Sequence, residues 1–207
     1  MRFVSLIKVA IVGGALLLTQ SLAVVAAGEP VSQPGLTESL RGGDLAGAFR
    51  QTQELAEAND IESQHNLSLF FWHGVGAPQN FDEAMRWSTM AAIRGHKKAD
   101  AARKAMLGSI DPKVVQDAMK WARLRLTADA EKGDDGALLP LSNSYTKTFG
   151  AADEALAYYW AALAVSTGNA DARRQRDAIA STITQTDLIK TQQRANEWFK
   201  RWRKAQS

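Results

Sequence analysis

Residues 73–87, HGVGAPQNFDEAMRW, set two glycines, a proline and an asparagine directly before an acidic pair and an Ala-x-x-Trp pattern. Three readings compete for Gly74-Val75-Gly76: a phosphate cradle, part of a catalytic loop, or a turn between two helices. A phosphate cradle requires G-x-G-x-x-G or a Walker loop behind a strand, and the stretch has neither that spacing nor an alternating apolar segment before it. Asn80 with Glu83 three residues later is instead a helix N-cap followed by an acidic third position. The stretch thus reads as a helix stop, a turn and a helix start.

Outward from Trp87 the same theme returns. Ala84 leads to Trp87, Ala91, Ala92 and Gly95; Ala118 leads to Trp121; Ala157 leads to Trp160, Ala164 and Gly168; Ala195 leads to Trp198. Ala48 opens the series, with Ala56 behind it and Asn59 in the glycine place, and the spacings from Ala48 onward are 36, 34, 39 and 38 residues. Small alanines let a second helix approach closely, the tryptophan three residues on fills the space beside it, and Gly or Asn past the last turn takes the left-handed cap conformation. Asp111-Pro112 and Thr184 with Asp187 add two more helix starts. Second helices are expected from near 80, 111, 151 and 185, and first helices over 61–73, 97–107, 135–148 and 169–183, after a half-unit helix at 44–58. A helix pair of this kind cannot bury its apolar face alone, and stacked pairs share one core.

Residues 61–100, IESQHNLSLFFWHGVGAPQNFDEAMRWSTMAAIRGHKKAD, resemble the Sel1-like repeat, a relative of the tetratricopeptide repeat, through Leu67, Phe71, Gly74, Gly76, Ala84, Trp87, Ala91, Ala92 and Gly95. The departures are Ser63 and Ser68 in the first helix and Val75 and Ala77 in the loop. A weaker match runs over 133–168 through Ala137, Leu141, Tyr145, Ala157, Trp160, Ala164 and Gly168, while the units near 97–132 and 169–203 keep only the second-helix pattern. The resemblance implies an all-α, right-handed superhelix of about four helix-turn-helix repeats over 44–203, with 204–207 as a tail. It also implies a protein-binding adaptor or regulator whose concave surface is lined by the first helices. In the well-matched unit Leu67, Ser68 and Phe71 then face the core, and Glu62, His65, Leu69, Trp72 and His73 fall on the groove side, with Leu69 and Trp72 as apolar groups on an open face; the competing reading has the neighbouring helix, or the segment before residue 44, fold over and bury Trp72. Leu139, Asn143, Thr146 and Lys147 extend the same groove in the weaker unit.

Residues 1–27 carry Arg2 and Lys8, then an uncharged apolar run ending in small residues, the layout of a secretory signal peptide cleaved after Ala27. An uncleaved membrane anchor is the competing reading. Residues 28–43, rich in Gly, Pro and Ser, read as a linker. Without Arg2 and Lys8 the 25 basic residues become 23, against 22 acidic ones, so the positive net charge belongs mostly to the leader. No basic stripe interleaved with aromatics asks for nucleic acid. The 207 residues contain no cysteine, which removes disulfides, thiolate ligands and a lipidated cysteine. A periplasmic or secreted protein with a cell-envelope protein partner, no cofactor and no stable membrane insertion after cleavage is expected.

Four features invite chemistry. Ser144-Tyr145-Thr146-Lys147 matches the S-x-x-K of penicillin-interacting enzymes, but S-D-N is missing and Lys147 to Gly150 is not K-T-G on a strand. An envelope hydrolase using Ser144 and Lys147 is therefore the alternative to the adaptor, with a glycan-associated envelope factor as a third reading. His65, His73 and His96 are too scattered for a metal triad. The basic, Trp-rich end from Glu197 to Ser207 is read as a helix covering the end of the stack, against an anionic membrane or glycan surface. Asn66-Leu67-Ser68, a formal glycosylation acceptor, falls in mid-helix.

Overall fold

Helix boundaries fall where the sequence supplies its caps. The structure is a computed structural model that describes residues 42–150 and 152–206, so the expected leader at 1–27 and nearly all of the 28–43 linker lie outside the described residues. Nine α-helices occur among those residues: α1 Leu45–Glu57, α2 Ile61–His73, α3 Phe81–Ile93, α4 Lys97–Met106, α5 Pro112–Glu131, α6 Leu138–Ser144, α7 Glu154–Ser166, α8 Ala170–Ala180 and α9 Gln185–Gln206. The all-α expectation is met. Asn80 Oδ1 accepts from the Glu83 amide at 3.1 Å, Asp111 Oδ1 from Lys113 at 2.7 Å, and Thr184 Oγ1 from Asp187 at 3.1 Å. Each satisfies an amide that the first turn leaves without a helical partner. A less usual cap opens α4: His96 Nδ1 accepts from the Ala99 amide at 3.0 Å, which puts the ring proton on Nε2.

The stop signals are equally regular. Asn59 (φ 71°), Gly95 (φ 95°) and Gly168 (φ 97°) all adopt the left-handed conformation, and Gly133 (φ 104°) supplies the same turn after α5. Asn59 is the only described residue other than glycine with positive φ.

Two first helices are shorter than expected. In place of 135–148 there are a 3-10 turn at Asp135–Ala137, the short α6, and another 3-10 turn at Lys147–Phe149. The expected 169–183 helix stops at Ala180. The same chemistry acts at both ends: Ser144 and Thr146 hydroxyls donate to the carbonyls three residues back (2.7 Å each), as do Ser181 (2.7 Å) and Thr182 (2.9 Å), and such bonds compete with helix continuation.

The described residues divide into two compact units, with the division between Ala84 and Met85 inside α3. In the first, α1 packs on α2 around Ala48, Phe70 and Val75, and Phe49 sets its ring edge-on to Phe70 and Phe71 at 6.2 and 5.2 Å. Phe70, not the expected Phe71, is the fully buried ring; Phe71 is half-buried.

In the second unit α7 is the central element, packing against α6, α8 and α9. Its Trp160, Leu163 and Ala164 join Met90, Leu126, Leu138 and Leu141 in one core. All five alanines of the repeating series are buried. The tryptophans beside them pair edge-to-face, Trp87 on Trp121 at 5.2 Å and Trp160 on Trp198 at 6.0 Å. Trp202 donates its indole N–H to the Ala130 carbonyl at 2.9 Å, so the Trp-rich end is packed against this unit, in line with the covering-helix reading.

Candidate functional site

The expected groove residues divide between the two units. On α2, His65 is only 7% exposed and does not present its ring on an open face. The correction has a physical reason: residues 63–68 are all buried, so α2 is enclosed well beyond a single stripe. Its polar side chains find partners nearby, with Gln64 Nε2 donating to the Ala56 carbonyl (3.2 Å) and Ser68 Oγ to the His65 carbonyl (2.6 Å). Glu62, Leu69 and Trp72 are half-buried and His73 is exposed at the helix end. Partial burial pulls the His73 imidazole below its ordinary pKa. Trp72 does not stand open as the groove reading expects; its ring lies 4.8 Å from that of Phe81, which is itself 43% exposed.

In the second unit Leu139 packs against the core and Asn143 Nδ2 donates to the Ile93 carbonyl at 2.9 Å, so both are engaged internally. Thr146 and Lys147 border a small cleft of about 310 Å3, and Lys147 Nζ stands 3.8 Å from Glu154 Oε1.

The S-x-x-K residues are not arranged for nucleophilic attack. Ser144 is fully buried, its hydroxyl donates to the Leu141 carbonyl at 2.7 Å, and it accepts from Arg123 Nε at 3.2 Å. Lys147 is exposed and turned to Glu154, whereas an activated serine needs a base within hydrogen-bond reach and room for an acyl group. Among the described residues no group of three His, Asp or Glu side chains is placed to hold a metal ion.

A larger cleft of about 700 Å3 lies elsewhere in the second unit, between α5 and the turns at 107–110 and 145–150. Pro112, Val115, Gln116, Met119, Lys120 and Arg123 recur along α5 at helical spacing and form one wall; Leu107, Ile110, Tyr145 and Phe149 form the other. Both aromatic rings pack against arginines. The Arg123 guanidinium stacks 3.9 Å from the Tyr145 centroid while its Nη2 donates to the Ser144 carbonyl, and Arg103 lies 4.9 Å over Phe149. Burial pushes the Arg123 guanidinium below its usual pKa, with Tyr145 and Asp153 opposing, and the group stays cationic. At the mouth, Leu124 is 63% and Leu107 38% exposed. The signal for this site is present in α5. Ala118, Ala122, Leu126 and Ala130 already fill its core face, so Val115 and Leu124 are apolar residues in excess of what one face needs.

A family model for the Sel1 repeat matches residues 61–96 and 148–169. The chain carries Sel1 repeats. The first Sel1 segment covers α2, the Gly74–Gly76 turn and α3; the second covers the start of α7 through its left-handed cap at Gly168. Most of the 700 Å3 cleft lies between the two Sel1 matches. No curated protein and no solved structure matches the chain. Sel1 repeats are helical and generally mediate protein–protein interaction. Among the described residues no helix is long and apolar enough to cross a membrane.

Proposed function

We propose that this Sel1-repeat chain is a non-enzymatic adaptor or regulator of the cell envelope, exported by its 1–27 leader and binding a protein partner through the cleft beside α5. The observation that carries the reading is Leu124, a large apolar side chain 63% exposed at the mouth of an apolar cleft. Exposed apolar surface joined to a pocket is the usual mark of an interaction site. The buried, internally bonded Ser144 speaks against the hydrolase alternative. A fluorescent penicillin is accordingly expected to leave the purified protein unlabelled.

Crosslinking and capture from envelope extracts test the adaptor, with the protein carrying Leu124→Asp as the control. Partners lost with that substitution at unchanged melting temperature support it, and capture of nothing by the native protein counts against it. Export is tested by intact mass: a periplasmic species beginning near Gly28 is expected, and a full-length form held in the inner membrane would overturn it. The α2 face around Trp72 and Phe81 is a second candidate contact, because Phe81 leaves part of this aromatic pair open to solvent.

A further inference from the structure

We infer that the cleft beside α5 accepts a polypeptide segment in which an apolar anchor side chain is followed closely by a carboxylate. The inference rests on the adaptor reading and adds the chemistry of its partner. Every ionisable side chain lining the cleft apart from Tyr145 is cationic, namely Lys120 and Arg123. The nearby carboxylate on α5, Asp117, is drawn to Lys113 at 2.5 Å, and that lysine's hydrogen bond holds it below the usual carboxylate pKa. Asp153 acts on Arg123 but does not line the cleft, so an entering group meets apolar walls and then the positive charge of Lys120 and Arg123, and an Asp or Glu beside the anchor is the complementary partner.

Rigidity favours the same outcome. Tyr145 is pinned by the Arg123 guanidinium and Phe149 by Arg103, so the aromatic wall needs little ordering when a ligand arrives. Arg123 spends Nε and Nη2 on Ser144, which fixes the direction of the rest of its planar fork. Leu124 and Leu107, at the mouth of the cleft, stay 63% and 38% exposed. A chain laid across the mouth covers both.

The test uses the mature protein and arrays of short synthetic peptides carrying a Phe, Trp or Leu anchor flanked by Asp or Glu, or by Lys or Arg. Acid-flanked peptides are expected to bind about tenfold more tightly than their base-flanked counterparts. Lys120→Glu, at an exposed position, should erase or invert that preference. Leu124→Asp should weaken binding about thirtyfold, the loss typical of an interface anchor. Equal binding of both flank types, or binding indifferent to Leu124→Asp, overturns the proposal. So does Leu124-dependent binding to vesicles of phosphatidylcholine and phosphatidylglycerol without peptide preference. If selectivity fails while envelope partners are still captured, the cleft assignment falls and the adaptor stands; selective peptides with no captured partner sustain the cleft and count against the adaptor.

Discussion

Replacing Gly76 by alanine sets two separable costs against each other. Gly76 sits at φ 70°, where an L-residue with a Cβ loses about 1–2 kcal/mol from backbone conformation. A Cβ built there would also lie 2.2 Å from the Leu45 carbonyl oxygen and 2.8 Å from Phe49 Cβ. The first contact is with backbone at the start of α1, so no rotamer change relieves it and α1 has to move away from the turn. Overpacking of this kind typically adds about 1–3 kcal/mol, for a total of roughly 2–5 kcal/mol. Gly95 is the internal control: its φ is 95° but nothing lies within 4 Å of the added Cβ, so Gly95→Ala should cost only about 1–2 kcal/mol. Urea unfolding followed by circular dichroism measures both variants, and hydrogen exchange of the α1 amides localises the damage. The clash account is refuted if the two variants agree within about 0.5 kcal/mol, or if α1 keeps native protection in Gly76→Ala.

Ser142 is buried and donates to the Ala157 carbonyl at 2.7 Å while accepting from Gln175 Nε2 at 2.7 Å, so Ser142→Ala should cost about 2 kcal/mol in urea unfolding and its effect should be non-additive with Gln175→Ala. Trp72→Ala removes a half-buried ring packed on Phe81 and should lower stability by about 2 kcal/mol; an unchanged melting temperature would show that this pair has no packing role. Deleting residues 185–207 removes α9 and uncovers Trp160, so the truncated chain should aggregate on size-exclusion chromatography, and a monodisperse product with native melting would mean α9 is dispensable.

Helix starts are legible in the sequence because each depends on one or two local residues. Asn80, Asp111 and Thr184 all cap as their side-chain chemistry dictates, and Gly95 and Gly168 terminate as left-handed residues do. The alanine series is legible because small residues at a fixed period have one common physical use, close helix approach. The burial of α2 is not. Its letters include Ser63, Gln64, His65, Asn66 and Ser68, which suggest a wet face, yet local hydrogen bonds such as Gln64 to Ala56 let polar side chains be buried. The cleft is hidden for a different reason: it needs α5, the 107–110 turn and the 145–150 turn brought together, and no local pattern encodes that meeting. The one trace of it in the sequence is the surplus of apolar residues on α5, which marks a second occupied face without saying what stands opposite.

The hydrogen bond from the Trp202 indole to the Ala130 carbonyl joins residues 72 positions apart in the chain. During synthesis α5 is complete long before this partner exists, and at about 5–20 residues per second the wait lasts several seconds. Trp160 is likewise translated before the Trp198 that covers it. The second unit is therefore an assembly that closes through α9, and until that helix emerges it offers uncovered tryptophan surface to whatever chaperone meets the nascent chain.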